Sequence, residues 1–165
     1  MSQADVQEFI ATHLSPERFA EYLADPDRYR VQVAETAQGL VGYTLVVLPR
    51  TAQEAPYAAD VAALVHARPA AELSKIYLLP RFHGSGVARA LLEAARAEVA
   101  DVVVDGRPVG VLWLGTNATN RRAQASYRKA GFAPVGRRRF QVGGSLEDDV
   151  VMAVDLTGGT AGHGR

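Results

Sequence analysis

The 165-residue chain reads as a mixed α/β (α+β) domain, and three observations carry that expectation. Two β-forming runs, 71–79 and 109–115, flank a helical pattern over about 86–100, which is long enough for a parallel crossover. A hairpin pattern stands on each side of this unit, turning at Gln38-Gly39 and at Gly143-Gly144. A glycine turn, His83-Gly84-Ser85-Gly86, joins the first of the two runs to the helix.

The elements follow in order. Residues 3–12 and 15–24 predict two short helices. The second starts well, with Ser15 as N-cap, Pro16 at the first helical position and Glu17 in the first turn. Phe19, Tyr22 and Leu23 are expected to face the core. Residues 30–36 and 40–48 predict a hairpin, and 50–70 a long loop with a short helix near 58–66. The strand 71–79 ends at Pro80. In the helix 86–100, Ala88, Leu91, Leu92, Ala95 and Val99 form one apolar face. A helix over about 120–130 stops at Gly131, and strands near 132–142 and 148–156 close the pattern. No linker or repeat divides the chain, so residues 1–156 are expected to form one domain. The Gly- and Thr-rich tail from Thr157 to Arg165 is expected to be disordered.

Composition excludes several classes of function. Eighteen basic residues balance eighteen acidic ones, so no global charge favours nucleic acid or an anionic membrane; Arg137-Arg138-Arg139 is a local basic patch. With no cysteine there are no disulfides, thiolate metal sites or cysteine nucleophiles. His13, His66, His83 and His163 lack metal-ligand spacing, so no metal is expected. No apolar run has the length of a membrane span, and Asp5 and Glu8 do not suit a signal peptide. A cytoplasmic location is the resulting expectation.

The glycine turn is the most informative stretch. A turn of this kind at a helix start leaves N–H groups pointing outward at the positive end of the helix dipole, a site for phosphate. A dinucleotide loop needs a third glycine where Arg89 stands, and a mononucleotide loop needs a Gly-Lys pair that is absent. Gly84 and Gly86 still let the backbone approach a pyrophosphate, Ala88 keeps the first helical turn small, and Ser85 and Arg89 can add a hydroxyl and a charge. Taken alone, the run also fits a plain strand-to-helix turn.

A second run, Asn120-Arg121-Arg122-Ala123-Gln124-Ala125-Ser126-Tyr127 followed by Gly131-Phe132, makes the signature specific. With Leu79-Pro80-Arg81-Phe82 ahead of the turn and Ala90-Leu91-Leu92 after it, the chain from about 30 to 156 resembles the GCN5-related N-acetyltransferases (the GNAT superfamily). The resemblance implies a mixed central sheet of about six or seven strands flanked by about four helices. It implies acetyl-CoA as co-substrate, a small-molecule amine as partner, no metal, and a homodimer as a family expectation. His83 stands where the family's loop usually has Gln or Arg. The segment before residue 13 is too short and helix-like for the family's opening strand and helix, so the first strand is expected to be absent or the gene start misplaced.

By this resemblance the backbone of Ile76, Tyr77 and Leu78 pairs with the pantetheine arm, the Leu78 N–H polarising the thioester carbonyl. The amides of Gly84, Ser85, Gly86, Val87, Ala88 and Arg89, framed by His83, hold the pyrophosphate. Asn120 contacts the cofactor or caps its helix, or does both. Tyr127 protonates the leaving thiolate or is a core tyrosine. Arg121, Arg122 and Lys129 meet the 3′-phosphate or form a solvated face. Glu72 is the general base or an ordinary strand-end carboxylate, and simple alternation puts it on one face with Ser74 and Ile76. Gly115 stands where relatives that acetylate protein N-termini often carry a glutamate, which speaks against that activity. Leu112-Trp113-Leu114-Gly115, the Phe140–Gly143 segment and the distal Asp149–Met152 segment are similar to the bacterial polyamine acetyltransferase branch. For a polyamine, carboxylates are available at Glu54, Asp60, Glu72, Glu147, Asp148 and Asp149.

Overall fold

The structure is a computed structural model that describes residues 15–157; the expected helix over 3–12 and the tail beyond Thr157 lie outside them. Helix α1 (Pro16–Ala24) starts as expected, with the Ser15 hydroxyl accepting the Arg18 N–H at 3.2 Å. It meets the sheet through Phe19, edge-on to Tyr43, and Tyr22, against Tyr29. Leu23 lies 100° further round the helix and is 67 % exposed, contrary to expectation.

Strands β1 (Tyr29–Thr36) and β2 (Gly39–Val47) form the first hairpin. The loop after β2 carries a single helical turn, α2 (Ala59–Ala62), shorter than expected. Strand β3 (Ala70–Leu78) runs through a 3₁₀ turn, Pro80–Phe82, to helix α3 (Val87–Ala100). A two-strand ribbon, β4 (Val103–Val104) and β5 (Arg107–Pro108), precedes β6 (Val111–Asn117). The ribbon was not expected, although Asp105-Gly106 between two short β-forming pairs is a hairpin signal. Helix α4 (Arg121–Lys129) and the hairpin β7 (Ala133–Val142) and β8 (Ser145–Asp155) complete the order.

Six strands form one mixed sheet in the order β1-β2-β3-β6-β8-β7, with β3 and β6 parallel and the other neighbours antiparallel. One face is covered by α3 and α4, where Leu92, Ala95 and Val99 pack on Leu48, Leu73, Leu112 and Met152. Each leucine buried in this way contributes about 1.5–3 kcal/mol of transfer free energy. On the opposite face the segment around α2 sets Val61 and Val65 against Val111, Trp113 and Val151.

The parallel pairing is short. β3 and β6 are in register only from Ala70–Val111 to Glu72–Trp113, and beyond that point they part. A bulge coincides with the parting: Val46 faces Leu73 while the next residue of β2, Leu45, faces Lys75, leaving Ser74 as the extra residue. The inserted residue reverses which face each later side chain takes. Ala71 and Leu73 point toward α3, and beyond the bulge Ile76 does so as well. Glu72 therefore lies on the face opposite Ile76, which corrects the expectation from simple alternation.

Candidate active site

Where β3 leaves β6, its outer edge opens. The Leu79 N–H bonds the Val41 carbonyl on the β2 side at 2.8 Å. By alternation along the strand, the N–H groups of Ile76 and Leu78 point away from β2 into the gap. On the helical face the gap widens into a cleft of about 520 Å³ between β3, the glycine turn and α4. It is lined by Ile76, Tyr77, Leu78, His83, Gly84, Ala88, Asn120, Arg122 and Tyr127, all candidates from the sequence. Leu92 and Ser126 add to the wall. Gly42 lets β2, β3 and α3 close tightly behind it: a Cβ there would lie 2.7 Å from the Tyr77 carbonyl oxygen and 3.2 Å from the Leu91 side chain.

Gly84 and Gly86 take left-handed φ of 77° and 90°, conformations that favour glycine. The His83 and Ser85 N–H groups are used inside the turn, bonding the Pro80 and Phe82 carbonyls. The Ser85 hydroxyl donates to the Phe82 carbonyl and accepts the Val87 N–H at 3.4 Å, so it ties the turn together rather than projecting from it. The N–H groups of Gly84, Gly86, Ala88 and Arg89 have no partner among the described residues. Four free donors at the start of a 14-residue helix fit an anion such as a pyrophosphate. Arg89 turns away and pairs with Glu93 at 2.8 Å on the exposed surface.

Asn120 is the N-cap of α4, accepting the Ala123 N–H at 3.1 Å, and it also lines the cleft; both expected roles share one position. Tyr127 is half-buried, edge-on to Phe132 and packed against the main core, with burial raising its hydroxyl above the usual phenol range. It is thus a core tyrosine whose protonated hydroxyl is kept beside the cleft. Arg122 reaches across from α4 to His83, 3.0 Å from its Nδ1, while Arg121 and Lys129 are exposed and do not line the cleft.

On the opposite face the sheet carries charged side chains. Glu72 and Trp113, the last pair in register, border a small pocket of about 50 Å³ with Arg28, Glu54 and Tyr57. Burial raises the Glu72 pKa above the ordinary glutamate value, and Arg138, Lys75 and Arg28 pull it back in part. Arg138 bonds Asp149 through Nε at 3.3 Å and Nη2 at 3.2 Å, and its guanidinium lies 5.6 Å from the Trp113 ring centre. Burial raises the Asp149 pKa despite that arginine. Glu54 accepts from Arg28 at 2.9 Å and from the Arg50 N–H; burial pushes its pKa up, but these bonds bring it below the usual range. Of the six carboxylates noted for a polyamine, Glu54 and Glu72 line this pocket, and Asp149 holds Arg138 on the same face. Glu147 accepts from Asn117, Asp148 pairs with Arg139, and Asp60 accepts its neighbour's N–H. Sequence reading missed the parts played by Arg28, Tyr57, Trp113 and Arg138, since only the folded sheet brings them together. Among the described residues no three His, Asp or Glu side chains are placed to hold a metal, and no helix is long and apolar enough to cross a membrane.

A strand parted from its parallel neighbour beside a glycine turn of free amides suits an extended ligand that ends in a diphosphate. The model of the acetyltransferase (GNAT) family matches residues 2–132, and the chain belongs to that family. It is 38% identical over 153 residues to an uncharacterized N-acetyltransferase of Mycobacterium tuberculosis, covering 92% of this chain and 82% of the relative. Among solved structures it is similar in fold to the ribosomal-protein-S18-alanine N-acetyltransferase of Escherichia coli (24% identity, TM-score 0.60, 86% of this chain and 77% of that one). It is also similar to a spermidine N-acetyltransferase chimera from Vibrio cholerae (22% identity, TM-score 0.61, 86% and 75%). The protein is an N-acetyltransferase of the GNAT family, in which acetyl-CoA is the co-substrate.

Proposed function

We propose that this enzyme moves the acetyl group of acetyl-CoA to the primary amine of a small molecule by direct attack. The observation that carries the reading is the parting of β3 from β6 after Glu72–Trp113. The large cleft lies beside the parted edge on one face, and the charged pocket borders the last paired residues, Glu72 and Trp113, on the other. The free amides of Gly84, Gly86, Ala88 and Arg89 hold the pyrophosphate, with Ser85 and Val87 shaping the turn. The exposed edge at Ile76, Tyr77 and Leu78 receives the pantetheine arm, and the Leu78 N–H stabilises the oxyanion that forms at the thioester carbonyl. The amine enters from the Glu72 side. Its nitrogen bonds the acetyl carbon as the C–S bond breaks; its proton passes to the Glu72 carboxylate, and the departing sulfur takes the Tyr127 hydroxyl proton.

Polyamines are the acceptor class that the sequence resemblance favours. Glu54 and Asp149 are already bonded to Arg28 and Arg138, which leaves Glu72 to meet an ammonium group. Acetylation of a peptide amine is the alternative. At Gly115, where a glutamate would support it, an added Cβ would lie 2.7 Å from the Arg138 Cζ. The sequence composition adds a cytoplasmic location to the reading and the family a homodimer, and light scattering decides the second. The test of function is thiol release from acetyl-CoA with a panel of monoamines, spermidine and short peptides. Turnover with a small amine supports the proposal. Turnover with peptides only, or tight coenzyme A binding without thiol release, replaces it by a peptide acetyltransferase or an acyl-CoA sensor.

A further inference from the structure

Arg138 occupies an unusual position for a charged side chain. It begins on β7, bonds Asp149 on β8, and ends over Gly115 and Trp113 on β6, spanning three strands of the sheet face. It is nearly buried, with 11 % of its side chain exposed and 5 % of Asp149's. The seat is shaped for it. A Cβ at Gly115 would lie 2.7 Å from Cζ and 2.9 Å from Nε, inside contact distance, so the guanidinium lies where any other residue at 115 would place a side chain. Gly115 is not among the glycines with left-handed φ, so what a side chain there would meet is the guanidinium and not backbone strain. A cation held this firmly, away from solvent screening, acts as a fixed charge on its neighbours.

Glu72 stands next to Trp113 in the register, on the same face. Among the described residues no hydrogen bond neutralises it. The charged and titratable groups that face it are Arg138 from β7, Lys75 from its own strand, Arg28 from the segment before β1 and Tyr57 from the loop after β2. Arg28 is bonded to Glu54, and Asp149 lies beyond Arg138. Arg138 and Glu72 both adjoin Trp113, the guanidinium 5.6 Å from its ring centre and Glu72 beside it in the register, so the arginine's positive charge opposes the burial of Glu72.

We infer that Arg138, seated in the notch left by Gly115 and anchored by Asp149, is a positioning residue that keeps the half-buried Glu72 carboxylate charged and able to take the amine proton. This rests on the acetyltransferase reading in which Glu72 is the base. A side chain at 115 would displace the guanidinium from this seat, so glycine there leaves the place that Arg138 takes.

The experiment follows the side-chain carboxyl carbon of Glu72 by NMR across a pH titration of ¹³C-glutamate-labelled protein, assigned by its absence in Glu72→Gln. It needs no acceptor. Arg138→Gln is expected to raise the Glu72 midpoint by about one pH unit, the lower end of what a nearby opposite charge achieves. Gly115→Ala, which changes no charge and displaces the guanidinium, is expected to raise it in the same direction, and Arg138→Lys to restore most of the wild-type value. The acidic limb of the pH–rate profile should move with the midpoint. An unmoved midpoint in folded Arg138→Gln and Gly115→Ala protein overturns the inference. Failure of the underlying reading shows separately, as a Glu72→Gln enzyme that keeps the wild-type pH–rate profile.

Discussion

The two faces of the sheet solve different problems with different materials. On the helical face the cleft is built largely from backbone: an unpaired strand edge, two left-handed glycines and the first amides of α3. On the other face the work falls to side chains brought from β3, β6, β7, β8 and two loops, held by Arg138–Asp149 and Arg28–Glu54. A site made of amides suits a ligand that every member of a family shares, because a diphosphate needs donors of fixed geometry and little else. A site made of side chains can be rebuilt one residue at a time, which suits an acceptor that differs between relatives.

This contrast can be broken at several points. The largest effect is expected from Gly86→Asp, which forces a side chain into φ 90° and puts a carboxylate before the free amides. Coenzyme A affinity, read by calorimetry, should fall by at least ~100-fold, since an anion then opposes an anion; retained affinity would mean that the pyrophosphate is held elsewhere. Tyr127→Phe is expected to lower kcat by about 100- to 10,000-fold with coenzyme A affinity nearly unchanged, the range for loss of one acid–base group. A wild-type rate in that variant removes the proton-donor role.

Glu72→Gln tests the other face through pH. Burial raises the Glu72 pKa, so the group holds its proton to higher pH than an ordinary glutamate, and the rate should fall as pH drops through that raised value. Glu72→Gln should abolish this acidic limb together with most of the rate at its plateau. The smallest effect belongs to His83→Ala. His83 contributes an exposed ring that meets Arg122, while the amides beside it remain, so the KM for acetyl-CoA should rise by about threefold, in keeping with the small worth of exposed contacts. A loss comparable to that of Gly86→Asp would show that the cofactor face depends on side chains after all.

Much of the helical face was legible in the sequence. Gly84, Gly86 and the helix start stand together within one short run, and the amides they free are local by construction. Asn120 and Tyr127 share one helix at fixed spacing, which places both on the cleft once α4 is recognised. The other face was not legible in this way. Glu72 was read as sharing a face with Ile76, because alternation assumes an unbroken strand, and the bulge at Ser74 breaks it. Arg138 stood out only as part of a basic run. Its flanking arginines behave as such a run should: Arg139 pairs with Asp148 on the surface and Arg137 is exposed. Nothing within three residues of Arg138 marks it as the member that turns inward.

By itself the sequence determined the order of the main-sheet strands and their helices, the family and the glycine turn with its free amides, because each shows in patterns of residues close in the chain. Tertiary structure alone decided where β3 leaves β6, which face Glu72 takes, and that Arg138 crosses β8 to lie over Gly115. Those outcomes depend on strand pairing between segments dozens of residues apart, where one inserted residue reverses a face and one missing Cβ makes room for a charge.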